Sequence, residues 1–168
     1  MAAARRGDQQ ALLLLYNQYS KQMFGLCMKM LGSRDEAEDV LQEAFVIAFG
    51  KLGQLSEDDK FGGWLRRIVI NECIRHSKRK IKWQELPAEE QPDYSQEEDC
   101  FLGIEPETVY EAIKQMPDGY RQVLTLFALE NFSHKAIAAM LGISESTSKS
   151  QYHKAQKYLK ELLLKTKR

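Results

Sequence analysis

The stretch FSHKAIAAMLGISESTSKSQYHKAQKYL, Phe132 to Leu159, decides the fold. Ser133 stands where a helix N-cap belongs, ahead of Ile137, Ala138 and Leu141 at helical spacing. Gly142 can take the positive φ that a tight turn needs, and Ile143 can pack beneath that turn. Ser144 can cap a second helix. In that helix Ser148, Tyr152, Ala155 and Leu159 share one face, and Ser146, Lys149, Ser150, His153 and Lys157 share the opposite one, with Lys154 at its edge. Small Ala138 lets the two helices approach closely. A face of lysine, serine and histidine with no acid beyond the first turn suits a helix lying in a DNA major groove. A plain helical hairpin with a basic outer face stays open, although turn chemistry and charge together favour the helix-turn-helix.

Working outward, helical periodicity continues in both directions and strand-type alternation is absent. The spacing predicts helices near Asp8–Leu31, Arg34–Phe49, Asp59–Arg79, Glu107–Gln115, Gly119–Glu130, His134–Leu141 and Glu145–Lys165. The segment 84–106 differs: it holds Pro87, Pro92 and Pro106, many acids and few apolar residues. Such a stretch cannot bury enough surface to offset its ordering entropy, so it reads as a flexible acidic linker. The expected architecture is all-α, with one helical domain over 1–83, the linker over 84–106, and a helix-turn-helix domain over 107–168.

Formal net charge is zero, but its distribution is uneven. Arg66–Lys82 holds seven Lys or Arg against the single acid Glu72; Trp83–Glu107 holds nine acids and no Lys or Arg. Ser133–Arg168 holds eight Lys or Arg against Glu145 and Glu161. Two basic blocks separated by an acidic one suggest two polyanion-binding modules on one tether, with solvated charged faces as the plainer alternative.

Two helices of the first domain bear candidate surfaces. Ser33 and Glu36 form a capping box, and Gly32 closes the helix before it. Ala37, Val40, Leu41, Ala44, Phe45 and Ala48 make one apolar stripe, and Asp35, Glu38, Asp39, Gln42 and Glu43 lie on the other side. That acidic side is a solvated face or a dock for a basic partner; periodicity alone does not choose. In the next helix Phe61, Leu65, Ile68 and Val69 point to a core, while Lys60, Trp64, Arg67, Asn71, Arg75 and Lys78 form a neighbouring ribbon. Cations neutralise phosphates, an aromatic stacks on an unpaired base and an amide reads a base edge, so the ribbon suits single-stranded or opening DNA. Core packing of Trp64 is the alternative.

Other function classes fit poorly. No phosphate loop, nucleophile elbow, zinc spacing or paired-carboxylate motif is present, and His76, His134 and His153 are scattered, which argues against an enzyme and against a metal or cofactor. Cys27, Cys73 and Cys100 have no metal-ligand or disulfide spacing. No apolar run approaches a membrane span or a secretory leader, so a cytoplasmic protein with no membrane insertion is expected.

The two modules together resemble the extracytoplasmic-function group of bacterial sigma factors. The resemblance rests on SRDEAEDVLQEAFVIAF (Ser33–Phe49), FGGWLRRIVINECIRHSKRK (Phe61–Lys80) and MPDGYRQVLTLFALENFSHKAIAAMLGISESTSKSQYHKAQKYL (Met116–Leu159). It implies a subunit that brings core RNA polymerase to promoter DNA, with an anti-sigma factor as a further partner. Asp39, Gln42, Glu43 and Phe45 match positions that dock on the clamp helices of the polymerase. Lys60, Trp64, Arg67, Asn71 and Arg75, with the loop Gly53–Lys60, match the minus-ten reader. Ser146, Lys149, Ser150, His153 and Lys154 are the corresponding minus-thirty-five candidates. Ala136 stands where the group often has an acid, Ser148 where an aliphatic residue is common, and Gln151 and Gln156 where arginines are frequent. A one-component helix-turn-helix regulator is the rival reading, and it would bind DNA without polymerase.

Overall fold

The computed structural model describes residues 1–78, 80–83 and 105–166, and all regular structure among them is helical. The chain divides into two compact units, Met1–His76 and Ser77–Arg168. Most of the expected linker, together with Cys100, lies outside the described residues.

The first unit contains α1 (Ala2–Arg5), α2 (Gln9–Leu31), α3 (Arg34–Gly50) and α4, which begins at Phe61 and runs to Ser77. Short 3₁₀ turns, Leu52–Gln54 and Asp58–Lys60, join α3 to α4. The helices end where side-chain chemistry dictates. Asp8 caps α2 by accepting the Ala11 amide at 2.8 Å, and Gly32 closes it in the left-handed region at φ 73°. Ser33 does stand at the N-cap of α3, but its side chain makes no capping bond. The Ser33 half of the expected capping box is therefore missing, and the Glu36 carboxylate lies 3.6 Å from His76 Nε2 on α4. The stripe Ala37, Val40, Leu41, Ala44, Phe45 and Ala48 is buried where α3 packs along α2; Met23, Leu26, Cys27 and Met30 of α2 and Leu65, Val69 and Cys73 of α4 are buried too. Cys73 is hydrogen-bonded to Cys27, and this bond, with burial, raises the Cys73 pKa. Both thiols act as small core residues.

The second unit holds α5 (Pro106–Lys114), α6 (Asp118–Leu124), α7 (His134–Leu141) and α8 (Glu145–Thr166). Between α6 and α7 the helix loosens into a π segment, Thr125–Leu129, closed by the Glu130 amide donating to Thr125 O at 2.9 Å. Ala112, Ile113 and Met116 from the α5 side, Leu124 of α6, and Ala155, Leu159 and Leu163 of α8 form one core cluster. Arg121 is buried and donates to the carbonyls of Lys114 (3.1 Å) and Met116 (2.6 Å) and to the Asp118 carboxylate. It thereby satisfies the carbonyls at the end of α5 and neutralises a carboxylate with the same guanidinium. Gly119 leaves room for Trp83, whose ring lies 3.2 Å from where a Cβ would stand.

Candidate functional site

Three surfaces were expected, and each can be located. The first is the outer side of α3. Asp39, Gln42 and Glu43 are exposed there. Phe45 is not: it is 3% exposed, with its ring 4.8 Å from Tyr16 and 5.5 Å from Phe49. Phe45 belongs to the apolar stripe, and its ring joins α3 to Tyr16 of α2, so the free chain presents little of it to a partner. The apolar residue that does face outward is Val46, 73% exposed. It lies three, four and seven positions after Glu43, Gln42 and Asp39, and so shares their face. The signal was present in the sequence as an apolar residue off the core stripe.

The second surface is the ribbon of α4 and the turn before it. Lys60, Arg67, Asn71, Arg75 and Lys78 are exposed, and Trp64 is half-buried with its ring 6.0 Å from Phe61. Trp64 thus has one side on the core and the other toward solvent, between the two roles weighed for it. The cations are not bare. Lys60 Nζ donates to Glu57 at 2.6 Å. Arg75 Nε donates to Glu72 Oε2 at 2.7 Å, and its Nη2 donates to Glu43 Oε2 at 2.8 Å. Glu72, the one acid within the first basic block, is thereby accounted for: its side chain is 13% exposed and it faces Arg75.

The third surface is the helix-turn-helix. Ser133 Oγ accepts the Ala136 amide at 3.2 Å, Gly142 turns the chain at φ 73°, and Ser144 Oγ accepts the Thr147 amide at 3.0 Å. The turn therefore has the geometry expected from its residues. On α8, Ser146, Lys149, His153 and Lys154 are part-exposed, and Lys149 Nζ lies 3.0 Å from Glu145. Ser150 departs from expectation: it is 5% exposed and its hydroxyl donates to Thr147 O at 3.0 Å. Its hydroxyl is used within the helix, so the free chain presents little of it to DNA.

Ser148 is fully buried and hydrogen-bonded to His134 Nδ1 at 2.9 Å. The His134 ring stacks on Phe127 at 4.2 Å and meets Tyr152 edge-on at 5.7 Å. A polar pair thus joins α7 and α8. Burial first, and the Lys149 charge second, hold the His134 pKa below the ordinary imidazole value.

Comparison with known proteins gives this arrangement a family. Residues 15–83 match the model of sigma-70 region 2, and residues 107–159 match that of sigma-70 region 4. The chain is 31% identical over 172 residues to the ECF RNA polymerase sigma factor SigW of Bacillus subtilis, covering 95% of this chain and 92% of that one. The chain belongs to the ECF sigma factors. A second relative of this sigma factor, the RNA polymerase sigma-H factor of Pseudomonas aeruginosa, is also 31% identical over 172 residues, covering 95% of this chain and 89% of that one. In fold it is similar to the sigma factor RpoE of Bartonella quintana, solved in complex with the anti-sigma factor NepR, with a TM-score of 0.52, 21% identity, and coverage of 97% and 99%. The α3 and α4 surfaces fall within the region 2 match, and the helix-turn-helix falls within the region 4 match.

Proposed function

We propose that this sigma factor docks on core RNA polymerase through Asp39, Gln42, Glu43 and Val46, and selects promoters through two DNA surfaces. Lys60, Trp64, Arg67, Asn71 and Arg75 meet the opening minus-ten strand. Ser146, Lys149, His153 and Lys154 meet duplex DNA at the minus-thirty-five element. The observation behind this is similarity to a sigma factor over 95% of the chain, with both regions in order and the two DNA surfaces on different compact units. An isolated helix-turn-helix regulator would account for the second region alone.

The physical logic is joint binding. Each surface offers few cations, so neither holds DNA tightly at physiological salt. Once polymerase fixes their spacing, the second contact becomes intramolecular and the two add. Strand opening is favoured because Trp64 and Asn71 meet bases only after the duplex parts. The chain has no catalytic task of its own in this scheme; polymerase supplies the chemistry. It acts in the cytoplasm, and an anti-sigma factor holds it inactive, as the complex of the Bartonella relative suggests. Among the described residues no helix is long and apolar enough to cross a membrane.

The test is run-off transcription with sigma-free core polymerase and promoter libraries. Purified chain should produce discrete start sites, and Asp39→Ala with Glu43→Ala should cut association with core polymerase. Gel shifts with and without core separate the rival: a band of undiminished strength without polymerase would point to a one-component regulator.

A further inference from the structure

We propose that Glu43 and Glu72 clamp Arg75 and thereby set how strongly the free chain holds single-stranded DNA. The inference rests on the reading of Arg75 as a strand contact. Arg75 is 64% exposed, on the α4 ribbon, yet it is engaged by two carboxylates from different helices. Glu72 sits one turn before it on α4, is largely buried, and receives the Nε donor at 2.7 Å. Glu43 comes from α3, is 58% exposed, and takes Nη2 at 2.8 Å.

The charge count decides the consequence. One guanidinium between two carboxylates is a cluster of net charge minus one. A phosphate approaching it meets repulsion, so Arg75 adds little to strand affinity while both acids are in place. The two acids differ in what can displace them. Glu72 is fixed by its place on the same helix and its burial; it orients the guanidinium and acts as a positioning residue. Glu43 is exposed and lies on the α3 face beside Asp39, Gln42 and Val46. A basic group that takes Glu43 leaves Arg75 held only by Glu72, with Nη2 partly freed for phosphate. Glu43 thus faces a choice between Arg75 and any cation presented to α3.

Anisotropy of a short fluorescein-labelled single strand of mixed sequence, titrated with the full free chain over a range of salt, tests this. Glu43→Gln should tighten binding about threefold to fivefold at low salt, within what an exposed ion pair can contribute. It should also steepen the salt dependence by about 0.7 in log–log slope, the signature of roughly one added phosphate contact on a single strand. The gain should vanish in the double variant Glu43→Gln with Arg75→Gln. Glu107→Gln, which removes the same charge from α5, should do nothing. An unchanged affinity and slope in Glu43→Gln would overturn the clamp. So would a gain that survives loss of Arg75, or an equal gain in Glu107→Gln. Arg75→Gln measured in the complex with core polymerase separates the two levels: a loss of strand binding there keeps Arg75 as a contact even if the clamp fails, and no loss removes both.

Discussion

At the scale of single residues, two neighbours on α3 show how much one position matters. Phe45 and Val46 are adjacent and both apolar, and helical geometry sends them to opposite environments. Phe45→Ala should destabilise the first unit by about 3–5 kcal/mol, because it removes a buried ring and leaves a cavity. Val46→Asp should leave stability within about 0.5 kcal/mol of the parent and lower polymerase association instead. Urea unfolding and co-elution with core polymerase separate these outcomes. The sequence made the stripe legible, and it also offered Phe45 for docking although its ring is buried in the free chain. Family position pointed to residue 45; periodicity alone would have put it in the core. Ser150 is a similar case, since a hydroxyl that can reach its own helix backbone has a competing partner one turn back. His134 gives a pH prediction. Above about pH 6.5 both folded and unfolded chains keep it neutral. As pH falls through that value the unfolded chain takes the proton first, since the folded pKa is lowered. The second unit should therefore lose stability between pH 6.5 and the folded pKa, and His134→Phe should flatten that loss. Urea midpoints at neutral and mildly acidic pH measure it.

At the scale of elements, glycine placement in α4 provides a contrast. A Cβ at Gly62 would lie 2.9 Å from the Tyr19 ring, whereas at Gly63 nothing stands within 4 Å. Gly62→Ala should cost about 1–3 kcal/mol by forcing Tyr19 off Phe61, with which it packs edge-on at 5.1 Å. Gly63→Ala, in open helix, should stabilise by up to about 1 kcal/mol. Thermal melts of the two variants check the sign difference. Most elements were legible: α2, α3, α5, α7 and α8 begin and end within two residues of their expected bounds. The exceptions have physical causes. Helix α1 is only four residues long and has no periodicity to read. The expected helix from Gly119 to Glu130 is continuous in sequence pattern but changes to π geometry at Thr125, where an extra residue per turn leaves no compositional mark. The start of α4 was set at Asp59, whereas Asp58–Lys60 forms a 3₁₀ turn. Ion pairs across helices, such as Glu43 with Arg75, were not legible at all, because nothing local relates residues 32 positions apart.

At the scale of the whole molecule, the proposed function divides one recognition event between the two units. The chain divides into two compact units, so each half should fold from its own sequence. Halves supplied in trans should still bind polymerase and duplex respectively, but should support initiation about 10²–10⁴-fold less well than the joined chain, since the second contact becomes bimolecular. Titrating one half against the other in run-off assays measures that factor; equal activity would remove the tethering argument. Zero net charge fits the same scheme, because a chain without excess positive charge is not drawn to bulk DNA at long range.

The pair formed by buried Ser148 and half-buried His134 has a practical corollary for anyone retargeting this molecule. Transplanting a whole α8 from a relative with an aliphatic side chain at 148 would strand the imidazole without its partner. The outward letters at 146, 149, 153 and 154 are the ones to rewrite, whereas a change at 134 or 148 also alters the contact between α7 and α8.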